Sequence, residues 1–257
     1  MATTAGTVRL EHHGAARTLS WRRPPLNVFD HDLLERVAEA LRGEEIRHAN
    51  LLVLRGGYGA WSAGLSVADH MGAKLSPMFA AFHDLLRAIW EVPVPTLAVV
   101  EGPCLGGGLE LLLPCDMALA SASATFGQPE VRLGVFPPVA LAALSRQVGP
   151  KAAAEILFTG RTLSAERAAL LGLVSRSVPD AELEGELDGV VRAFSSHRHE
   201  TLTIMKRLWQ AADPFPWQEL SKAEAGYLKE IVQLPDAEEG LRAFLEKRAP
   251  VWPTPSG

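Results

Sequence analysis

Two stretches of this chain set a carboxylate where glycine, proline and apolar side chains dominate. In EGPCLGGGLELLLPCD (101–116), Gly106, Gly107 and Gly108 precede Glu110; in ATFGQPEVRLGVFPP (124–138), Glu130 follows Gln128 and Pro129 among aromatic and apolar neighbours. A helix opened by glycines offers unsatisfied backbone N–H groups and a partial positive charge to any ligand that can approach the bare backbone. Such a turn binds anionic oxygen. Glu110 lies three positions after Gly107, so a backbone donor and a carboxylate share one side of the first turn. A carboxylate in apolar company is either hydrogen-bonded for structure or has its pKa raised for proton transfer. A third stretch, YGAWSAGLSVADHM (58–71), offers a second donor loop at Ala63-Gly64-Leu65. Nucleotide binding is disfavoured, because GGGLEL lacks the G-x-G-x-x-G spacing and no G-K-[ST] marks a phosphate loop. Taken alone, Glu110 also fits a solvent-exposed first-turn acid favoured by the helix dipole.

The elements around these stretches can be read from periodicity. Runs rich in β-branched and large apolar residues, VRLEH (8–12), RTLSW (17–21), NLLVLRG (50–56), PTLAVVEG (95–102), DMALASA (116–122) and LVSRSV (173–178), predict strands. Between them DHDLLERVAEALRG sets Leu33, Leu34, Val37, Ala38 and Leu41 on one helical face, with Asp32 and Glu35 as a capping-box pair and Gly43 as a stop. The stretch from Ser76 to Trp90 repeats that pattern. Alternating strands and helices predict an α/β fold with a mainly parallel sheet. From Pro138 onward nearly everything reads as helix, and PVWPTPSG reads as a loose tail.

Composition narrows the function classes. The chain has 257 residues, 47% of them hydrophobic and 21% charged, as a soluble protein with a sizeable core requires. A net charge of −5 gives no basic excess for nucleic acid or an anionic membrane. No apolar run approaches the ~20 residues of a membrane span, and the start carries charges where a signal peptide needs its apolar segment, so the expected location is the cytoplasm. Cys104 and Cys115 are read as reduced and buried, and the pairs His12-His13 and His197-x-His199 lack a third ligand in sequence. No metal is expected.

Together the three stretches resemble the enoyl-CoA hydratase/isomerase (crotonase) superfamily, whose Ala-Gly-x, Leu-Gly-Gly-Gly-x-Glu and Phe-Gly-x-Pro-Glu-x-x-Leu-Gly patterns stand here as AGL (63–65), LGGGLE (105–110) and FGQPEVRLG (126–134). The resemblance runs from RRPPLN near the start to GLRAFLEKRAPVW near the end. It implies a spiral of ββα units over residues 1–195 and a helical C-terminal trimerisation region over 196–257, with trimers often paired into hexamers. It also implies an acyl-CoA thioester substrate, with coenzyme A as part of that substrate and no separate cofactor. By the same resemblance, the N–H groups of Leu65 and Gly107 form an oxyanion hole, and Glu110 and Glu130 are the catalytic carboxylates of a hydratase. Arg23, Pro25, Leu26, Ala63, Ser66 and Val67 then fall where coenzyme A is held, with Phe244 and Lys247 reaching the coenzyme A of a neighbouring subunit.

One segment departs from the family pattern. Many relatives carry Pro-Gly-x-Gly-Gly after the second glutamate, whereas this chain has GVFPPVALAAL. Together with GLSVADHM, that run resembles the branch of cyclohexa-1,5-diene-1-carbonyl-CoA hydratases, and it predicts an acyl pocket shaped by Phe136, with Trp61 and His70 as further pocket or loop candidates and core packing an equal alternative for Trp61. Straight-chain hydration, and dehydration, isomerisation or decarboxylation on the same frame, are the enzymatic alternatives. A non-catalytic binding protein is the other class; two retained glutamates argue against it.

Overall fold

A computed structural model describes residues 6–252 of the chain. It begins with an antiparallel hairpin of β1 (Thr7–His13) and β2 (Ala16–Arg22), then α1 (His31–Leu41), α2 (Glu44–Arg47), β3 (Leu51–Gly56) and α3 (Leu75–Trp90). Next come β4 (Thr96–Val100), β5 (Pro103–Leu105), α4 (Gly107–Leu112), β6 (Met117–Ser121), β7 (Thr125–Gly127), a 3₁₀ turn over Pro129–Leu133 and α5 (Pro138–Val148). The remainder is α6 (Pro150–Thr159), β8 (Thr162–Ser164), α7 (Ala165–Leu170), β9 (Arg176–Val178), α8 (Leu183–Ser195), α9 (His199–Ala212), α10 (Trp217–Lys229) and α11 (Pro235–Leu245). The expected tail lies outside the described residues from Pro253 onward.

Six strands form one sheet in the order β1-β2-β3-β4-β6-β9, parallel throughout except for the first hairpin. Three short strands form a second sheet, β5-β7-β8. The chain therefore places β4 in the large sheet, β5 in the small one and α4 after it, then repeats the step with β6, β7 and α5. This is the expected ββα spiral. Along β3, Leu52 and Leu54 join the larger core with α1 and α3, while Leu51 and Val53 face the other way onto Leu183, Leu187 and Val191 of α8. Both faces of the central strands are covered, which is why they read as unbroken apolar runs.

Some local expectations change. Asp30, not Asp32, caps α1: its side chain accepts from the Leu33 N–H at 3.1 Å, so the helix starts one residue before the expected capping pair. The expected strand 173–178 is ordered as β only over Arg176–Val178, and β5, β7 and β8 were not visible as strands at all. At three residues each, they are too short to show a period of two.

Candidate active site

The glycine turn after β5 is held from several sides. Gly106 donates its N–H to the Gly127 carbonyl of β7 at 2.9 Å, and the Gly108 carbonyl accepts from Trp61 Nε1 at 2.7 Å. Gly106 has φ +55°, and a Cβ there would stand 2.6 Å from Glu130 Oε1. Only a glycine admits that carboxylate at that place. A Cβ on Gly107 would stand 2.6 Å from Leu65 Cγ, so the two candidate donor loops close directly on one another. Among the described residues, the backbone N–H groups of Leu65 and Gly107 donate no hydrogen bond.

The loop carrying Leu65 is tied to the loop carrying Arg23. Ala63 donates to the Leu26 carbonyl (2.9 Å), Phe29 to that of Gly64 (2.9 Å) and Ser66 to that of Phe29 (2.7 Å). Asn27, fully buried, joins both loops through Nδ2 bonds to the Gly57 and Ala60 carbonyls at 2.7 and 2.6 Å. The proposed coenzyme A contacts at Arg23, Pro25, Leu26, Ala63, Ser66 and Val67 thus lie on one connected pair of loops, with Pro25 and Leu26 exposed. The Arg23 guanidinium is already engaged, 2.5 Å from Asp30 Oδ2 and 3.0 Å from the Val28 carbonyl.

Behind these loops is a cavity of about 240 Å³, lined by Ala63, Leu65, Val67, His70, Gly107, Glu130, Phe136, Tyr227 and Phe244 among others. Glu130, half-buried, borders it from the 3₁₀ turn. Glu110, 3% exposed, is more deeply enclosed: its Oε1 accepts from the N–H groups of Val139 and Ala140 at 2.8 and 2.9 Å, and among the described residues its Oε2 accepts none. Burial pushes Glu110 up to about 7 against the pull of those two N–H groups. Burial first, and the charge of Glu110 second, push Glu130 up to about 8. Both carboxyl groups are thus raised into the range where a side chain can give or take a proton near neutral pH.

Several expected residues converge here and others do not. His70 lines the cavity, with Nδ1 2.9 Å from the Ser66 carbonyl, which places the proton on Nδ1 and leaves Nε2 as an acceptor. Burial lowers its pKa, so the ring is neutral at pH 7. Phe136 is on the cavity wall. Trp61 is a correction: it is fully buried, packs edge-on against Trp21 with centroids 4.8 Å apart, and supports the glycine turn instead of facing the cavity. Phe244 lines its own chain's cavity, whereas Lys247 is exposed and outside the lining.

Sequence reading missed Tyr227 and Gln128. The tyrosine sits on an amphipathic helix almost a hundred residues beyond Glu130, where it reads as ordinary core. Gln128 is buried; oriented so that its nitrogen faces Glu130, it donates to Oε1 and Oε2 at 3.2 and 3.0 Å, an orientation assigned from the bonding pattern. Its place inside FGQPE was the available signal. A larger depression of about 410 Å³, bordered by Trp90, Asp116, Arg146, Trp209 and Asp213, has both of its carboxylates in ion pairs, Asp116 with Lys206 at 2.5 Å and Asp213 with Arg146 at 3.6 Å. Among the described residues, no cluster of three metal-ligating side chains occurs and no helix is long and apolar enough to cross a membrane.

Known proteins resemble the chain in both sequence and fold. Residues 14–255 match the family model described as enoyl-CoA hydratase/isomerase. The chain is 35% identical over 254 residues to cyclohexa-1,5-dienecarbonyl-CoA hydratase of Thauera aromatica, covering 95% of each chain. It is 30% identical to a probable mitochondrial enoyl-CoA hydratase of Dictyostelium discoideum, covering 96% of this chain and 90% of the relative. Among solved structures, an enoyl-CoA hydratase/isomerase from Pseudoalteromonas atlantica T6c superposes with a TM-score of 0.81 at 28% identity, over 96% of this chain and 99% of that one.

Proposed function

The chain belongs to the enoyl-CoA hydratase/isomerase family, and from that premise we propose that it adds water across a conjugated C=C of a cyclic dienoyl-CoA thioester. The observation that carries this reading is the pairing of buried Glu110 with half-buried Glu130, both of raised pKa, beside two backbone N–H groups that, among the described residues, donate to nothing else. The thioester oxygen would take the N–H groups of Leu65 and Gly107. Each such donor contributes about 3–4 kcal/mol to stabilising an enolate-like oxygen. Glu110, whose Oε2 accepts no hydrogen bond among the described residues, accepts a proton from water as the oxygen bonds to the β carbon. The π electrons shift toward the thioester, and Glu130 delivers its proton to carbon. Glu110 ends protonated and Glu130 ionised, and proton exchange with solvent restores both.

The ring preference is supported by Phe136 on the cavity wall, by the adjacent Pro137 and Pro138, and by the substrate named for the Thauera aromatica relative. Assembly as a trimer or a pair of trimers, with Phe244 and Lys247 reaching toward coenzyme A, and residence in the cytoplasm complete the proposal.

The test is a panel of cyclic and straight-chain enoyl-CoA thioesters followed by loss of enoyl-thioester absorbance, with products identified. Glu110→Gln and Glu130→Gln should each lower turnover at least about 100-fold while nearly preserving thioester affinity. Full turnover in either variant removes that carboxylate from the mechanism.

A further inference from the structure

Tyr227 is one of two tyrosines in the chain. Its ring sits edge-on to Phe79 of α3 and to Phe136, with centroids 5.1 and 5.3 Å away. It is 1% exposed, borders the cavity, and its buried hydroxyl has no hydrogen-bond partner among the described residues. Buried hydroxyls are nearly always paired, so an orphan beside a binding cavity requires an explanation. Among the described residues, the other buried side-chain orphans, Arg17 Nε and Ser20 Oγ, do not border this cavity.

Packing against Phe79 and Phe136 would be served equally by phenylalanine. The hydroxyl must answer to something else. Burial raises its pKa, and the charges of Glu130 and then Glu110 raise it further, so the phenol keeps its proton and lies within the field of both carboxylates. It bonds to neither of them. The oxygen of an added water must lie in that same field for the two carboxylates to act on it.

We propose that the Tyr227 hydroxyl donates a hydrogen bond to the hydroxyl oxygen on the β carbon of the acyl group, the oxygen that hydration introduces. This rests on the hydratase reading above. Tyr227 transfers no proton: the O–H bond of water that breaks gives its proton to Glu110, the new C–O bond takes one oxygen lone pair, and a remaining lone pair accepts from the phenol. Dehydration would use the same contact in reverse order.

The test separates this contact from turnover. Calorimetry would compare a cyclic β-hydroxyacyl-CoA carrying a methyl group in place of the Cα hydrogen, which cannot be dehydrated, with the same thioester lacking the hydroxyl. The wild type should bind the hydroxylated thioester about tenfold more tightly, as a satisfied buried donor implies. Tyr227→Phe should bind both alike, with affinity for the deoxy thioester unchanged. A hydroxyl preference that survives Tyr227→Phe, or its absence in the wild type, overturns the proposal while leaving the acyl-CoA reading intact. Failure of both thioesters to bind overturns the acyl-CoA reading and the proposal with it.

Discussion

Glu130 Oε1 occupies the space beside Gly106 so closely that a Cβ on that glycine would stand 2.6 Å away. The backbone there also has φ +55°, which side-chain-bearing residues adopt only at a cost. Gly106→Ala should therefore cut turnover at least about tenfold by displacing the carboxylate, well beyond any change in thioester affinity. Steady-state kinetics with calorimetry on the same variant checks this; unchanged kcat would mean that the position of Glu130 is not critical.

The two carboxyl groups set a pH profile. Glu110 must be ionised, so kcat/KM should rise through about 7; Glu130 must be protonated, so it should fall through about 8. These limbs belong to the pair as a unit. The residual activity of Glu130→Gln should lose the alkaline limb. A wild-type profile flat from pH 6 to 9 would contradict the assignment.

Stability should follow the same groups with a definite sign. The folded pKa of Glu130 is raised from an ordinary 4.5 to about 8, so its stabilising contribution is complete below about 4.5 and is lost as pH rises through about 8. Glutamine carries no such charge. Thermal unfolding of Glu130→Gln, referenced to wild type, should show a relative Tm that climbs between pH 5 and 8; a constant difference would show that the folded pKa is not raised.

On the surface, α9 exposes Ile204, Met205, Leu208 and Trp209, each about half exposed or more. Contiguous apolar area of this kind is usually covered by another copy or a partner. Sedimentation at micromolar concentration should give a trimer or hexamer, and Trp209→Glu should shift it toward smaller species. A monodisperse wild-type monomer would contradict the proposed assembly.

For specificity, a rigid wall at Phe136 favours a ring, because a flexible chain loses rotational freedom on the order of 0.5–1 kcal/mol per frozen bond. A cyclic dienoyl-CoA should exceed crotonyl-CoA in kcat/KM by at least about tenfold, or ~1.4 kcal/mol. Phe136→Ala should narrow that gap. If crotonyl-CoA is the better substrate, the ring preference is wrong and the general hydratase reading stands.

What the sequence disclosed follows the range of the interactions involved. The strands of the large sheet and the faces of α1 and α3 are written in local periods, and the three motifs announce the donors and carboxylates because each is contiguous. Asp30 as the cap of α1 was missed by two positions, since neighbouring acids offer the same chemistry and only the backbone angles choose between them. The places of Trp61 and Tyr227 escape the sequence for a different reason. Each is an aromatic residue on an apolar background, and whether it faces core or cavity is decided by partners many residues away, Trp21 and Gly108 for one, Phe79 and Phe136 for the other.

The bonds from Val139 and Ala140 to Glu110 Oε1 give that residue a second occupation. Helix α5 starts at Pro138, and no side chain of its own preceding residue caps it. Glu110, from another helix, fills the place that an aspartate before the first turn would ordinarily take, a contact with a typical value of about 0.5–2 kcal/mol. A descendant of this protein that abandoned chemistry would be free to lose Glu130, yet would remain under pressure to retain an acceptor at 110 for architectural reasons. A glutamate at this position in a relative is thus weak testimony to catalysis by itself, and the fate of Glu130 is the better witness.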